Sequence, residues 1–190
     1  MSAELILVTG GIRSGKSAFA EELASSKNNS VLYVATGNKT DSEMESRIEQ
    51  HQKRRPSEWS TLEEPLNLVK SLEHYLSESN ILRTIIIDSL DVWISNLILN
   101  DNDGSPQKLE ANTHESIRQL ISCCKNNSSS TIIVSSEVGL SLVSPNRLGR
   151  QFQDLLGLSN QQVALSSDKV YLVVSGLPLE ISNISHQQDK

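Results

Sequence analysis

The stretch Gly10-Gly11-Ile12-Arg13-Ser14-Gly15-Lys16-Ser17 has the residue types and spacing that hold a polyphosphate. In Gly-x-x-x-x-Gly-Lys-Ser the glycines let backbone N–H groups turn inward around a phosphate. The lysine reaches the terminal phosphates and the serine hydroxyl can ligate Mg²⁺. A helix starting at the serine adds a favourable dipole. Asp88 ends the apolar run Thr84-Ile85-Ile86-Ile87. A carboxylate at a strand end, on a strand beside the first one, can hold the water shell of the Mg²⁺. The plainer reading of Asp88 is a cap on the turn that follows.

Arg47 to Arg55 (RIEQHQKRR) is unusual in an acidic chain, with Arg47, His51, Lys53, Arg54 and Arg55 inside nine residues. Two readings stand side by side. One is a solvated helix face, as most charge runs are. The other is a polyphosphate clamp around His51, whose neutral imidazole is a competent nucleophile toward phosphorus, with cations offsetting the charge on the transferring group. Glu137 follows an apolar strand, at the end of the sheet where open α/β folds place ligands. By itself it also reads as an acid at a helix N-terminus.

These residues need elements to position them. Leu5 to Val8 is a short apolar run ending in Thr9-Gly10-Gly11, a buried parallel strand entering a glycine turn. Apolar residues from Ser17 to Ala24 recur at helical spacing. Further strands are expected at Val31–Ala35, Trp59–Leu62 (a short edge strand), Thr84–Asp88, Thr131–Ser135 and, last, Lys169–Ser175. Helices are expected at Asp41–Arg54, Pro65–Tyr75, Val92–Leu99, Glu110–Lys125 and Arg147–Leu165, with Asn100–Gln107 a loop. Strands alternating with helices, opened by this glycine loop, predict an α/β fold of P-loop NTPase type. That is a RecA-like three-layer sandwich with a mostly parallel sheet and helices on both faces. One domain over residues 1–181 and a polar tail over 182–190 account for the chain.

The totals agree. A chain of 190 residues with 37% hydrophobic residues suits one domain with a sizeable core. A net charge of −6 argues against coating nucleic acid by bulk electrostatics. Apolar runs of about five residues fall far below the ~20 of a membrane span. The two cysteines, Cys123 and Cys124, are adjacent and make neither a disulfide framework nor a zinc spacing. A cytoplasmic enzyme is the expectation.

Several stretches, in order, carry a more specific signal: "LILVTGGIRSGKSAFAEELA", "VLYVATG", "EMESRIEQHQKRRPSEW" with its R-I-x-x-H-x-x-x-R-P pattern, "IIIDSLDVWISNL", "SSEVGLSLVSPNRLGRQFQDLLGLSNQQVA" and "KVYLVVSGLPL". Together, over roughly Leu5 to Leu179, they resemble the bifunctional adenosylcobinamide kinase/adenosylcobinamide-phosphate guanylyltransferases of cobalamin biosynthesis. The P-loop is shared by very many proteins, whereas the histidine pattern and the S-E-V-G…N-R-L-G-R stretch are far narrower.

The resemblance implies two reactions. ATP or GTP phosphorylates the aminopropanol hydroxyl of adenosylcobinamide. GTP then guanylylates adenosylcobinamide-phosphate, giving adenosylcobinamide-GDP and pyrophosphate through a GMP–histidine intermediate at the position of His51. It further implies a nucleotide site built from Gly10, Gly11, Ile12, Arg13, Ser14, Gly15, Lys16 and Ser17, and from Thr36, Gly37 and Asn38. Gln52, Lys53, Arg54 and Arg55, the acid Glu63 after the tryptophan, and Asp88 complete that site. Mg²⁺ is expected on Ser17 and Asp88, directly or through water, and a homotrimer is the expected assembly.

The chain departs from the family pattern at Ser136, where Asn is expected, at Ser141, Ser144 and Pro145, and at Leu158, where Arg is common. These positions bear on corrinoid or subunit contacts. Two rival functions remain: a P-loop small-molecule kinase without guanylyltransferase activity, and a non-catalytic nucleotide switch or ATPase module.

Overall fold

The computed structural model describes residues 3–27, 29–38, 55–78, 81, 83–101 and 105–185. Its strands are β1 (Glu4–Gly10), β2 (Val31–Ala35), β3 (Ser60–Glu63), β4 (Thr84–Asp88), β5 (Ser130–Ser136), β6 (Lys169–Val174) and β7 (Leu177–Glu180). The helices are α1 (Lys16–Ser26), α2 (Leu68–Ser77), α3 (Leu90–Leu99), α4 (Pro106–Asn127), α5 (Arg147–Ser166) and the short α6 (Ser182–Ser185). The expected helix Asp41–Arg54 lies outside the described residues.

The strands form one sheet in the order β3-β2-β4-β5-β1-β6-β7. All neighbours are parallel except β6 and β7, which pair antiparallel. This is the expected α/β architecture, with one correction that matters for the site. β4, which carries Asp88, does not lie beside β1. β5 separates them, pairing Leu5 with Thr131 on one edge and Ile85 with Thr131 on the other. Helix α1 packs over both β4 and β5 and spans that gap.

The period-2 alternation of the strands feeds two cores. Leu5, Leu7, Leu32, Val34, Ile85, Ile87 and Ile133 face one side, where they pack with α2, α3, α4 and α5. Ile6, Val8, Tyr33, Ile86, Ile132 and Val134 face the other, against Ala20 and Ala24 of α1. Small alanines let α1 sit close to the sheet. At the opposite end of β1, Glu4 binds both Lys27 and, at 3.0 Å, Lys169, tying the end of α1 and the start of β6 to the first strand.

Of the boundaries that differ from expectation, three change the course of the chain. Lys169–Ser175 is not the last strand. Ser175 (φ 52°) and Gly176 (φ 82°) form a two-residue turn, and β7 pairs back on β6 with Val174 opposite Leu177. Positive φ at both turn residues is what a hairpin matching the strand twist requires. The last helix-sized segment but one also starts early: α4 begins at Pro106, with the Ser105 hydroxyl accepting from the Lys108 N–H at 3.5 Å. Serine at the cap and proline in the first turn make a helix start. The polar tail opens with the helical turn Ser182–Ser185. No helix among the described residues is long and apolar enough to cross a membrane.

Candidate functional site

The glycine loop sits where the chain leaves β1 and enters α1, at the C-terminal edge of the sheet. Its conformation depends on two glycines. Gly15 has φ 97°, a left-handed value that favours glycine, and a Cβ there would lie 3.3 Å from Gly176 Cα. Gly10 passes so close to β6 that a Cβ would lie 2.5 Å from the Val173 carbonyl oxygen. The β6–β7 turn braces the loop from outside, the Gly176 N–H donating to the Ser14 carbonyl at 2.8 Å. Lys16 reaches back over the loop and donates from Nζ to the Gly11 carbonyl at 3.3 Å. A phosphate in the loop offers that ammonium a stronger, charge-assisted partner than a carbonyl.

Asp88 closes the gap that β5 leaves. The Ser17 hydroxyl donates to Asp88 Oδ1 at 3.4 Å, and the Tyr33 hydroxyl donates to Oδ2. Tyr33 was legible only as a core residue of β2. It belongs instead to a stack at the site: its ring lies 6.5 Å from that of Trp59, and the Arg55 guanidinium sits 3.6 Å above it. Burial, and then the charge and hydrogen bond of Asp88, push the Tyr33 hydroxyl far above its ordinary pKa, so it remains a donor. Arg55 is thus held against Tyr33, with its Nε buried and unpartnered among the described residues. A cation over an aromatic face is a favourable seat.

The other expected residues fall into place unevenly. Thr36 is fully buried, its hydroxyl donating to the Ser89 carbonyl and accepting from the Ser89 N–H, both at 2.8 Å. Asn96 reinforces this turn by donating to the carbonyls of Thr36 and Pro65 at 2.9 and 3.1 Å. Thr36 therefore shapes the backbone after Asp88 from below, while Gly37 and the exposed Asn38 lie at the edge. Glu63 ends β3, opposite Ala35. It stands two strands along the sheet from Asp88 on β4. His51, Gln52, Lys53 and Arg54 lie outside the described residues.

A cavity of about 640 Å³ opens beside the loop, lined on one side by Gly11 to Ser14 and on the other by Asp91, Ser136 and Glu137. Ser136 donates to Asp91 Oδ2 at 2.8 Å. Asp91 carried no signal in the sequence beyond its place three residues after Asp88.

The loop, the paired hydroxyl and carboxylate and the cavity lie together at the C-terminal edge of the sheet, with an open flank. Ser17 and Asp88 supply hard oxygen donors that fit Mg²⁺, which takes few protein ligands and fills its shell with phosphate and water. Comparison with known proteins decides the family. Residues 6–181 match the family model described as cobinamide kinase / cobinamide phosphate guanyltransferase. The chain belongs to this family.

The chain is 38% identical over 175 residues to the bifunctional adenosylcobalamin biosynthesis protein CobP of Pseudomonas aeruginosa, covering 92% of this chain and 95% of that one. Against the bifunctional adenosylcobalamin biosynthesis protein CobU of Escherichia coli it is 35% identical over 183 residues, 93% of this chain and 99% of the relative. The CobU protein of Salmonella typhimurium is 36% identical over 183 residues, with the same coverage. Membership makes the chain a transferase of cobalamin biosynthesis with cobinamide kinase and cobinamide phosphate guanylyltransferase functions, using ATP or GTP as co-substrate. The expected function and fold stand.

Proposed function

We propose that the glycine loop and the Ser17–Asp88 pair bind the nucleoside triphosphate, and that His51 carries GMP between the two half-reactions of guanylyl transfer. The observation that carries this reading is the Ser17–Asp88 contact at the C-terminal edge of the sheet, which places a hydroxyl and a carboxylate together at the start of α1. Backbone N–H groups of Gly10 to Ser17 hold the phosphates, and Lys16 leaves the Gly11 carbonyl for the terminal phosphates. Ser17 and Asp88 hold Mg²⁺, which offsets the phosphate charge.

In the first reaction the loop presents the terminal phosphoryl group to the hydroxyl of adenosylcobinamide. In the second, His51 attacks the α-phosphorus of GTP and pyrophosphate leaves. The phosphate of adenosylcobinamide-phosphate then displaces the imidazole. Two displacements at one phosphorus spare the enzyme from aligning two large polyphosphates at once. Gln52, Lys53 and Arg54 supply polar and cationic contacts next to His51. Arg55, seated on Tyr33, anchors the end of that segment beside Asp88. Thr36, Gly37, Asn38 and Glu63 complete the edge of the nucleotide region. One domain over residues 1–181 houses both reactions, in a cytoplasmic homotrimer.

Incubation with adenosylcobinamide and ATP or GTP labelled at the terminal phosphate tests the first reaction. Label appears in the corrinoid if the reading is right. Hydrolysis indifferent to the corrinoid rejects it in favour of a switch or ATPase module.

A further inference from the structure

We propose that the cavity beside the glycine loop seats the alcohol that receives the phosphoryl group, and that Glu137 is the carboxylate that orients and deprotonates it. This rests on the reading of the chain as a cobinamide kinase and assigns a residue to its first reaction.

The geometry points to this cavity in three ways. First, its loop-side wall is Gly11 to Ser14, so an alcohol inside it lies next to a phosphate held by the loop. Second, Val138, Leu140 and Phe152 give the facing wall an apolar lining, suited to the alkyl arm that carries an alcohol. A volume of about 640 Å³ admits such an arm together with a phosphoryl group.

Third, Glu137 is fixed relative to the loop. Its N–H donates to the Gly10 carbonyl at 3.0 Å, which ties it to the residue that opens the loop. Its Oε1 accepts the Gly139 N–H at 2.6 Å, so the carboxylate is oriented while Oε2 has no partner among the described residues. Asp91 is less suited to the same task. Its Oδ2 is tied to Ser136, and its Oδ1 is shut away from solvent.

The step balances without further reagents. The acceptor oxygen forms a bond to the terminal phosphorus, and the bond from that phosphorus to the bridging oxygen breaks. The electron pair stays on the nucleoside diphosphate, and the hydroxyl proton passes to Glu137 and then to water.

The test compares Glu137→Gln and Glu137→Asp with the wild-type enzyme in both half-reactions. Loss of a general base predicts that kcat for adenosylcobinamide phosphorylation falls about 100-fold or more in Glu137→Gln. The acid limb of its pH profile disappears, and KM for ATP is unchanged. Guanylylation of supplied adenosylcobinamide-phosphate proceeds as in wild type. Glu137→Asp, which keeps the carboxylate one methylene back, recovers part of the turnover. Wild-type phosphorylation by Glu137→Gln, equal loss of both reactions, or Glu137→Asp no better than Glu137→Gln overturns the assignment. A wild-type enzyme with no corrinoid-dependent phosphate transfer rejects the kinase reading itself, which distinguishes the two failures.

Discussion

Tyr33 and Asp88 face the same side of adjacent strands, and the phenolic hydroxyl holds one carboxylate oxygen while Ser17 holds the other. The carboxylate at the strand end is therefore fixed on both oxygens. That fixing lets β4 serve a loop from which it is separated by β5.

Tyr33→Phe keeps the ring, and with it the stack of Arg55 and Trp59, and removes only the hydroxyl. A hydrogen bond to a charged group contributes about 1.5–3 kcal/mol, so the urea midpoint falls by an equivalent amount. Asp88 also loses its orientation, and half-maximal kinase activity requires more Mg²⁺ than in wild type. Denaturant titration and a magnesium titration of turnover check the two effects. An unchanged magnesium requirement would show that Tyr33 supports the fold alone.

The glycines of the loop are not equivalent. Gly10→Ala places a methyl 2.5 Å from the Val173 carbonyl oxygen, a contact that the backbone of β6 must move to relieve. Overpacking of this kind costs about 1–3 kcal/mol. Gly11 has nothing within 4 Å of its Cβ position, so Gly11→Ala is tolerated in stability. Thermal melting of both variants should show a marked drop for the first and little change for the second.

The vicinal cysteines are structural. Burial pushes the Cys123 thiol from 9.0 up to about 11, and the Cys124 thiol up to about 12. Neither is a thiolate at neutral pH, and an alkylating reagent modifies them only after unfolding. Because the folded chain keeps these protons, and that of Tyr33, at pH values where the unfolded chain releases them, stability falls as pH rises above about 9. Urea midpoints measured between pH 8 and 11 should decline steadily. Replacing both cysteines with alanine should flatten the part of that decline nearest pH 9.

Much of this arrangement was legible in the sequence because it is local. Apolar runs bounded by turns marked β1, β2, β4 and β5, and the loop's glycine spacing marked its own strand-to-helix context. What stayed hidden depends on neighbours far along the chain. The separation of β4 from β1 by β5 is a pairing choice that no local pattern carries. The role of Tyr33 could not be read because an aromatic in a strand signals core first, and its polar end finds Asp88 only in the folded sheet. β7 escaped because "LPL" is short and contains Pro178, although Ser175-Gly176 between apolar segments is a turn signal that could have found it. Ser105-Pro106 likewise announced the start of α4 through its cap and first-turn proline.

Whether the glycine loop and His51 serve one enzyme with two transfers is tested by a covalent label. The purified protein is incubated with Mg²⁺ and GTP labelled at the α-phosphate, then denatured and treated with acid. Two transfers in one enzyme give protein-bound label that is lost in acid, is absent from His51→Ala, and is released onto adenosylcobinamide-phosphate when that substrate is added. Label that persists in His51→Ala, or no label with an otherwise active kinase, rules out His51 as the carrier of GMP.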